Sequence, residues 1–316
     1  MIDFKPITVN DKQIITSYTF PFAPRDCDFS FNNLCSWHFL NESSYAVIDG
    51  FLCIRFRMPN GRPLFLLPLG SGDMISVIQR LEEEARQEGF PFYMQGAAQE
   101  IREVLERSFP TLFRYSVYRD YANYIYRRQD LVELKGKNYQ PKRNHINKFK
   151  KEYRYEYTPL TPDLIPLCLE FETNWIKSHP QLEQESLTAE EASIRFSLQH
   201  YEALDLAGGV LWVEGKLAAF TFGSRLTADT FNINIEKADI HIEGAYTMIN
   251  REFAAGLPDN YLYLNREEDL GIPGLRQAKL SYHPAILLEK CIAKKQLLKK
   301  RKRYEGRGLP AVESVL

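Results

Sequence analysis

Patterned metal ligands and paired thiols are missing from these 316 residues. The five cysteines (Cys27, Cys35, Cys53, Cys168 and Cys291) are scattered, odd in number and free of C-x-x-C spacing. They read as reduced thiols, not as a disulfide framework. The six histidines show neither H-x-H nor H-E-x-x-H spacing, so no metal site is expected. Also missing is any apolar run of the ~18–20 residues that a membrane-spanning helix needs. The longest candidate, GVLWVEGKLAAFTFG, is broken by charge and reads as strands. The opening residues, MIDFKPITVN, lack the basic-then-apolar order of a secretion signal. These absences set the expectation of a cytoplasmic protein with no metal and no permanently bound cofactor.

Net charge is nearly absent too, with 40 Lys and Arg against 41 Asp and Glu. Its distribution is not even. Residues 127–154 carry ten basic and three acidic residues, and residues 290–307 carry nine and one. A formal −1 therefore hides segments of +7 and +8 on a body of −16. Such asymmetry points to polyanion contacts. Hydrophobic residues at 44% and a length near two ~150-residue units fit a globular protein with two cores.

What is present alternates between strand and helix patterns and runs twice. In the first half, FSFNNLCSWHFLN reads as a helix. YAVIDGFLCIRFRMPNGRPLFLLPLG reads as strands turning at Pro59-Asn60-Gly61. A helix from Ser71 and Asp73 to Gly89 follows, then strand FPFYMQG, helix AAQEIREVLERSF and strand YANYIYRR. The second half gives strand RYEYTPLT and a helix capped at Thr161 with Pro162 at its first position. A second helix starts on a capping box at Thr188 and Glu191. A hairpin turning at Glu214-Gly215-Lys216, strand TFNINIEKA, helix EGAYTMINREFAAG and strand YLYLNRE complete it. This is the element order of an N-acyltransferase domain.

Two stretches, LKGKNYQPKRNHINKFKKEY (134–153) and YLNREEDLGIPGLRQAKLSYHP (263–284), resemble signatures of the phosphatidylglycerol lysyltransferase C-terminal family. The resemblance spans essentially the whole chain. It implies an α/β (α+β mixed sheet) fold of two tandem GNAT-like N-acyltransferase domains. The first would span 1–133, a basic connecting helix 134–154, and the second, with a basic tail, 155–316. It also implies kinship with aminoacyl-tRNA-dependent transferases, Fem-type enzymes included.

The chemistry is read residue by residue. In the basic helix, Ile146, Phe149 and Tyr153 anchor one side. Arg143, Asn147, Lys150, Lys151 and Arg154 form a stripe roughly 16 Å long at ~1.5 Å per residue. It suits the phosphates of an RNA acceptor end or of coenzyme A. In TFNINIEKA, Phe231, Ile233 and Ile235 alternate with Asn232, Asn234 and Glu236, which either line a substrate pocket or form the wet face of an edge strand. The NREE end of the next strand offers Glu267 and Asp269 to hold an α-ammonium or act as a base. Asn265 and Arg266 are offered as oxyanion donors. Arg276, Lys279, Ser281 and Tyr282 are further candidates for phosphate or carbonyl contacts. Relatives of this superfamily hold coenzyme A on a Q/R-x-x-G-x-G/A loop. Here the junction IEKADIHIEGAYTMIN keeps only Gly244 and Ala245, a departure that favours an aminoacyl-RNA donor.

The tail, PAILLEKCIAKKQLLKKRKRYEG, reads either as an amphipathic basic helix able to lie on an anionic membrane or contact RNA, or as a final structural element followed by a disordered end. The expected function is transfer of an aminoacyl or acyl group, from aminoacyl-tRNA or acyl-CoA, to an amine or hydroxyl, a lipid such as phosphatidylglycerol included. The alternatives are an acyl-CoA-dependent N-acetyltransferase and a non-catalytic RNA- or membrane-surface-binding protein.

Overall fold

The computed structural model describes residues 1–178 and 184–296, the side chains of 184–186 excepted. The first half holds β1 (Lys5–Pro6), α1 (Lys12–Phe22), α2 (Phe31–Ser36), α3 (His38–Asn41), β2 (Ser44–Ile48), β3 (Phe51–Arg57), β4 (Pro63–Leu66) and β5 (Leu69–Gly70). It continues with α4 (Met74–Gln87), β6 (Tyr93–Ala97), α5 (Ala98–Ser108), β7 (Phe113–Val117), β8 (Asn123–Arg127) and α6 (Arg128–Glu133). After α7 (Gln140–Glu152) come β9 (Tyr155–Pro159), α8 (Ile165–Lys177), α9 (Gln184–Gln199), β10 (Ala207–Val213), β11 (Lys216–Arg225) and β12 (Thr230–Ala238). Then α10 (Ala245–Gly256), β13 (Tyr263–Asn265), α11 (Pro273–Leu280), β14 (Ile286–Leu288) and β15 (Lys290–Lys295) close the described chain. Local chemistry sets many boundaries. Asp73 accepts the Ser76 amide at 3.1 Å to start α4, and Gly89 ends it in the left-handed region.

Two sheets carry the architecture. One runs β1-β2-β3-β4-β6-β15-β7, with β5 on β3; the other runs β14-β8-β13-β12-β11-β10-β9. Each contains a parallel pair, β4 with β6 and β12 with β13, spanned by α4 and α10 respectively. The halves also exchange strands. β8 inserts between β14 and β13 of the second sheet, while β15 inserts between β6 and β7 of the first. Only Glu289 separates β14 from β15, so the chain steps from one sheet into the other across a single residue. One apolar core packs under each sheet, and a third joins the halves by setting Phe29, Leu34 and Leu52 with Ile194, Phe220 and Phe222.

The structure departs from the sequence expectations at several points. The strict alternation in TFNINIEKA breaks, because Phe222 pairs with Ile235 and Gly223 with Ile233, leaving Asn234 as the extra residue of a β-bulge. Past the bulge the faces invert. Phe231 and Ile233 pack under α10, Ile235 joins the core between the halves, and Glu236 turns to the α10 side. A Cβ on Gly223 would lie 1.9 Å from the Asn232 carbonyl oxygen, so the bulge needs glycine opposite it.

The capping box at Thr188 falls inside α9, which begins at Gln184. Pro162–Leu164 form a 3-10 turn ahead of α8, and the Thr161 side chain makes no cap bond. The helix read into the tail is instead β14 and β15, because alternate residues here find strand partners on β8, β6 and β7. The rest of the tail lies outside the described residues. No helix among the described residues is long and apolar enough to cross a membrane.

Candidate active site

β12 and β13 pair only from Thr230 to Asn232, after which β13 stops and β12 runs on. The chain leaving β13 folds back in a loop with Glu267 and Leu270 at φ 55° and 51°. Left-handed non-glycine residues are costly and need support from their surroundings. Here the support is specific. Lys279 donates its ammonium to the carbonyls of Arg266 and Glu268, and the Arg266 amide donates to the Tyr124 carbonyl at 2.9 Å.

Glu267 stands at the centre of this loop. Its Oε1 accepts three amides, from Asn33 (2.8 Å), Asn232 (2.7 Å) and Asn234 (3.1 Å). Asn232 and Asn234 reach the same carboxylate because they lie two residues apart on one face of β12, and the bulge then sends Glu236 to the other face. Oε2 has no protein partner among the described residues, and the amide oxygens of Asn232 and Asn234 are buried without one. Burial and the neighbouring Glu268 charge outweigh the amides and push the Glu267 carboxyl up to about 7.

Asp269 is built differently. It accepts from Arg119 (3.0 Å), the Tyr124 hydroxyl, Arg276 (2.7 and 2.9 Å) and the Gly271 amide (2.9 Å). A carboxylate has about four lone-pair sites, so this one is fully engaged. Burial raises its carboxyl, but the Arg276 and Tyr124 hydrogen bonds win and hold it well below the usual range. Asn265 is equally committed. Its amide donates to the Arg25 carbonyl (2.7 Å) and Asn123 (2.8 Å), and its oxygen receives the Glu267 N–H (2.7 Å).

A third cluster gathers at the seam between the halves. The Lys290 ammonium, 3% exposed, lies 2.6 Å from Glu268, 2.9 Å from Asp28 and 3.4 Å from Asp26. Glu268 also accepts from Asn123 and from the Cys27 thiol, each at 3.1 Å. Asp26, Cys27 and Asp28 bring ligand atoms within 4.8 Å of one another, yet the positive charge among them is the lysine's own.

On the α10 side, Arg266 pairs with Glu236 at 2.8 Å, and Asn250 holds the other Glu236 oxygen at 2.9 Å. The Arg266 guanidinium lies 5.0 Å from the Tyr282 ring and keeps one N–H unpartnered, while Lys142 stands 3.9 Å above the same ring. Burial and Arg266 lower the Lys142 ammonium to about 8. The structure thus brings Asn232, Asn234 and Glu267 to one face and Glu236, Arg266 and Tyr282 to the other. Lys279, Arg276 and Asp269 brace the loop between them.

The basic helix α7 ends at Glu152, where Tyr153 turns extended, so Arg154 lies off the helical stripe. Arg143 is spent on the carbonyls of Leu134 and Gly136, whereas Asn147, Lys150 and Lys151 are exposed. α7 also lies across Gly244 and Ala245 at the start of α10. A Cβ on Gly244 would meet the His145 carbonyl and the Phe149 side chain, both at 3.1 Å. α7 thus packs directly against the Gly244 backbone at that helix N-terminus, with Glu243 beside it, paired to Lys148.

Sequence reasoning missed Asn33, Asn123, Lys290 and the Asp26–Asp28 pair, which come from elements far from the motif. Two aspartates ahead of a helix, and a single lysine between apolar Leu288 and Cys291–Ala293, were the available signals.

The family described as phosphatidylglycerol lysyltransferase, C-terminal, matches residues 19–294. A conserved protein of unknown function from Bacteroides thetaiotaomicron is 47% identical and superposes with a TM-score of 0.91, covering 94% of this chain and 100% of its own. L-PGS from Bacillus licheniformis superposes at 0.63 with 15% identity, over 93% of this chain and 94% of that one. FemX does so at 0.60 with 8% identity, over 92% and 97%. Those two likenesses are of fold, that of tandem GNAT-like acyltransferases. A curated relative from Mycoplasmoides gallisepticum is 23% identical over 185 residues, and the match spans 56% of that protein's length and 55% of this chain. The chain belongs to the phosphatidylglycerol lysyltransferase C-terminal family.

Proposed function

We propose that this protein transfers an aminoacyl group from aminoacyl-tRNA to an amine or hydroxyl acceptor, a lipid such as phosphatidylglycerol among them. The observation that carries the reading is the set of unfilled acceptors at Glu267 Oε2, Asn232 Oδ1 and Asn234 Oδ1. Such a set receives the hydrogens of an amine or hydroxyl. A carboxyl near 7 suits a general base that takes the acceptor's proton as its nitrogen or oxygen attacks the ester carbonyl. The tetrahedral intermediate then collapses, the bond from the carbonyl carbon to the tRNA ribose oxygen breaks, and that oxygen leaves with the proton held by Glu267. Asn265 has no donor left to give to the developing oxyanion, and the unpartnered Arg266 nitrogen lies on the opposite face of β12 with Glu236, away from Glu267.

The exposed Asn147, Lys150 and Lys151 support a nucleic-acid donor, and the close packing of α7 and Glu243 at Gly244 speaks against a coenzyme A pyrophosphate at that helix end. Charged tRNA should bind with an affinity that falls steeply with salt and falls further in Lys150→Glu/Lys151→Glu. Glu267→Gln should retain binding but lose transfer by about 10²–10⁴-fold, the usual worth of a general base. A melting-temperature rise with acetyl-CoA, together with no binding of charged tRNA, would overturn the donor and favour acyl-CoA.

A further inference from the structure

Glu267 and Glu268 are neighbours in sequence and both partly buried, yet their surroundings differ. Glu267 is met by amides. Glu268 is met by Lys290 at 2.6 Å, by Asn123 and by Cys27. The lysine reaches it from β15, the strand that the second half inserts into the first sheet. Two adjacent carboxylates in one confined site cannot ionise independently, and unequal surroundings sort them into different roles.

We propose that Lys290 is a positioning residue: its ammonium fixes Glu268 as a permanent carboxylate beside Glu267, leaving Glu267 alone to exchange the proton. This inference rests on the base role proposed for Glu267. The charged and titratable groups around the pair are Asp26, Cys27 and Asp28 from the segment before α2, Arg266 on the same loop, Lys279 from α11 and Lys290 from β15. Among them Lys290 makes the close side-chain ion pair to Glu268, because the Lys279 ammonium is bound to backbone carbonyls. Burial raises Glu268, but Lys290 opposes it and brings the carboxyl below its ordinary value. Burial and Asp28 push Asp26, on the far side of the ammonium, up to about 7. The lysine therefore serves three carboxylates, with Glu268 the nearest.

The test is thermal unfolding of the full chain at pH 5 and pH 8, for wild type, Lys290→Met, Lys290→Arg, Glu268→Gln and the Lys290→Met/Glu268→Gln pair. Methionine keeps the stem and removes the charge. Lys290→Met should lower the melting temperature more at pH 8 than at pH 5, because stranded carboxylates are relieved by protons. Glu268→Gln should restore part of the loss. An equal loss at both pH values, or no recovery in the double variant, overturns the ion cage. The positioning role is read from the pH profile of transfer. Glu268→Gln should move the acid limb down by about one pH unit, since the like charge beside Glu267 is gone. An unmoved limb overturns that role. Should Lys290→Met fail to fold, Lys290→Arg, which keeps the charge, should fold with the wild-type pH dependence, and Glu268→Gln still reads the positioning role. If no donor supports transfer, the functional reading fails while the unfolding experiment still decides the cage.

Discussion

Glu267 and Asp269 stand two residues apart and are driven in opposite directions. Asp269 receives two guanidinium groups, a phenol and an amide, while Glu267 receives three neutral amides and a neighbouring negative charge. The motif placed both in the sequence but held no information about their partners. The deciding donors, Asn33 and Arg119, are 234 and 150 residues away. A consequence follows for stability. Glu267 has a folded value of about 7, above its unfolded value, so its ionisation destabilises the fold fully above pH 7 and not at all below about pH 4.5. Glu267→Gln should therefore stabilise the protein at pH 8 by about 1–2 kcal/mol and make little difference near pH 4.5. Urea titrations at the two pH values measure this, and a loss of stability at pH 8 would refute it.

At the scale of elements, turns and caps were legible because their chemistry is local. The turns at Pro59–Gly61 and Glu214–Lys216 and the ends of α4 stand where the sequence put them. The bulge in β12 was not legible, since FNINIEK alternates perfectly and the extra residue is imposed by β11. Gly223 is the evident cause. Gly223→Ala should cost about 2–3 kcal/mol by denaturant unfolding, as for other overpacked sites. It should also disturb transfer, because the added methyl meets the Asn232 carbonyl and would shift the Asn232 amide that Glu267 accepts. A variant with wild-type stability would mean that the strands slide past one another without strain. The helix expected in the tail failed for a similar reason. Apolar residues at 287 and 291 fit a helical spacing, but partners on β6, β7 and β8 decide for strands.

For the whole molecule, tandem halves were legible from the repeated order of elements, whereas the reciprocal loan of β8 and β15 was not, because strand exchange leaves no local trace. The loan makes each half depend on the other. Removal of residues 290–316 should strip the first sheet of an internal strand and leave Asp26, Asp28 and Glu268 without their cation. We expect that truncated chain to lose cooperative unfolding, measured by near-ultraviolet circular dichroism on heating. A sharp transition near the wild-type temperature would show that β15 is dispensable. The one-residue step at Glu289 also has a consequence on the ribosome. β6 and β7 emerge early, but the strand that belongs between them follows more than 170 residues later. At ~5–20 residues per second the nascent first half waits roughly 10–35 s with two unpaired strand edges facing a gap. Any protein that shelters open β edges during synthesis would find its client here, in the interval before the last strand arrives.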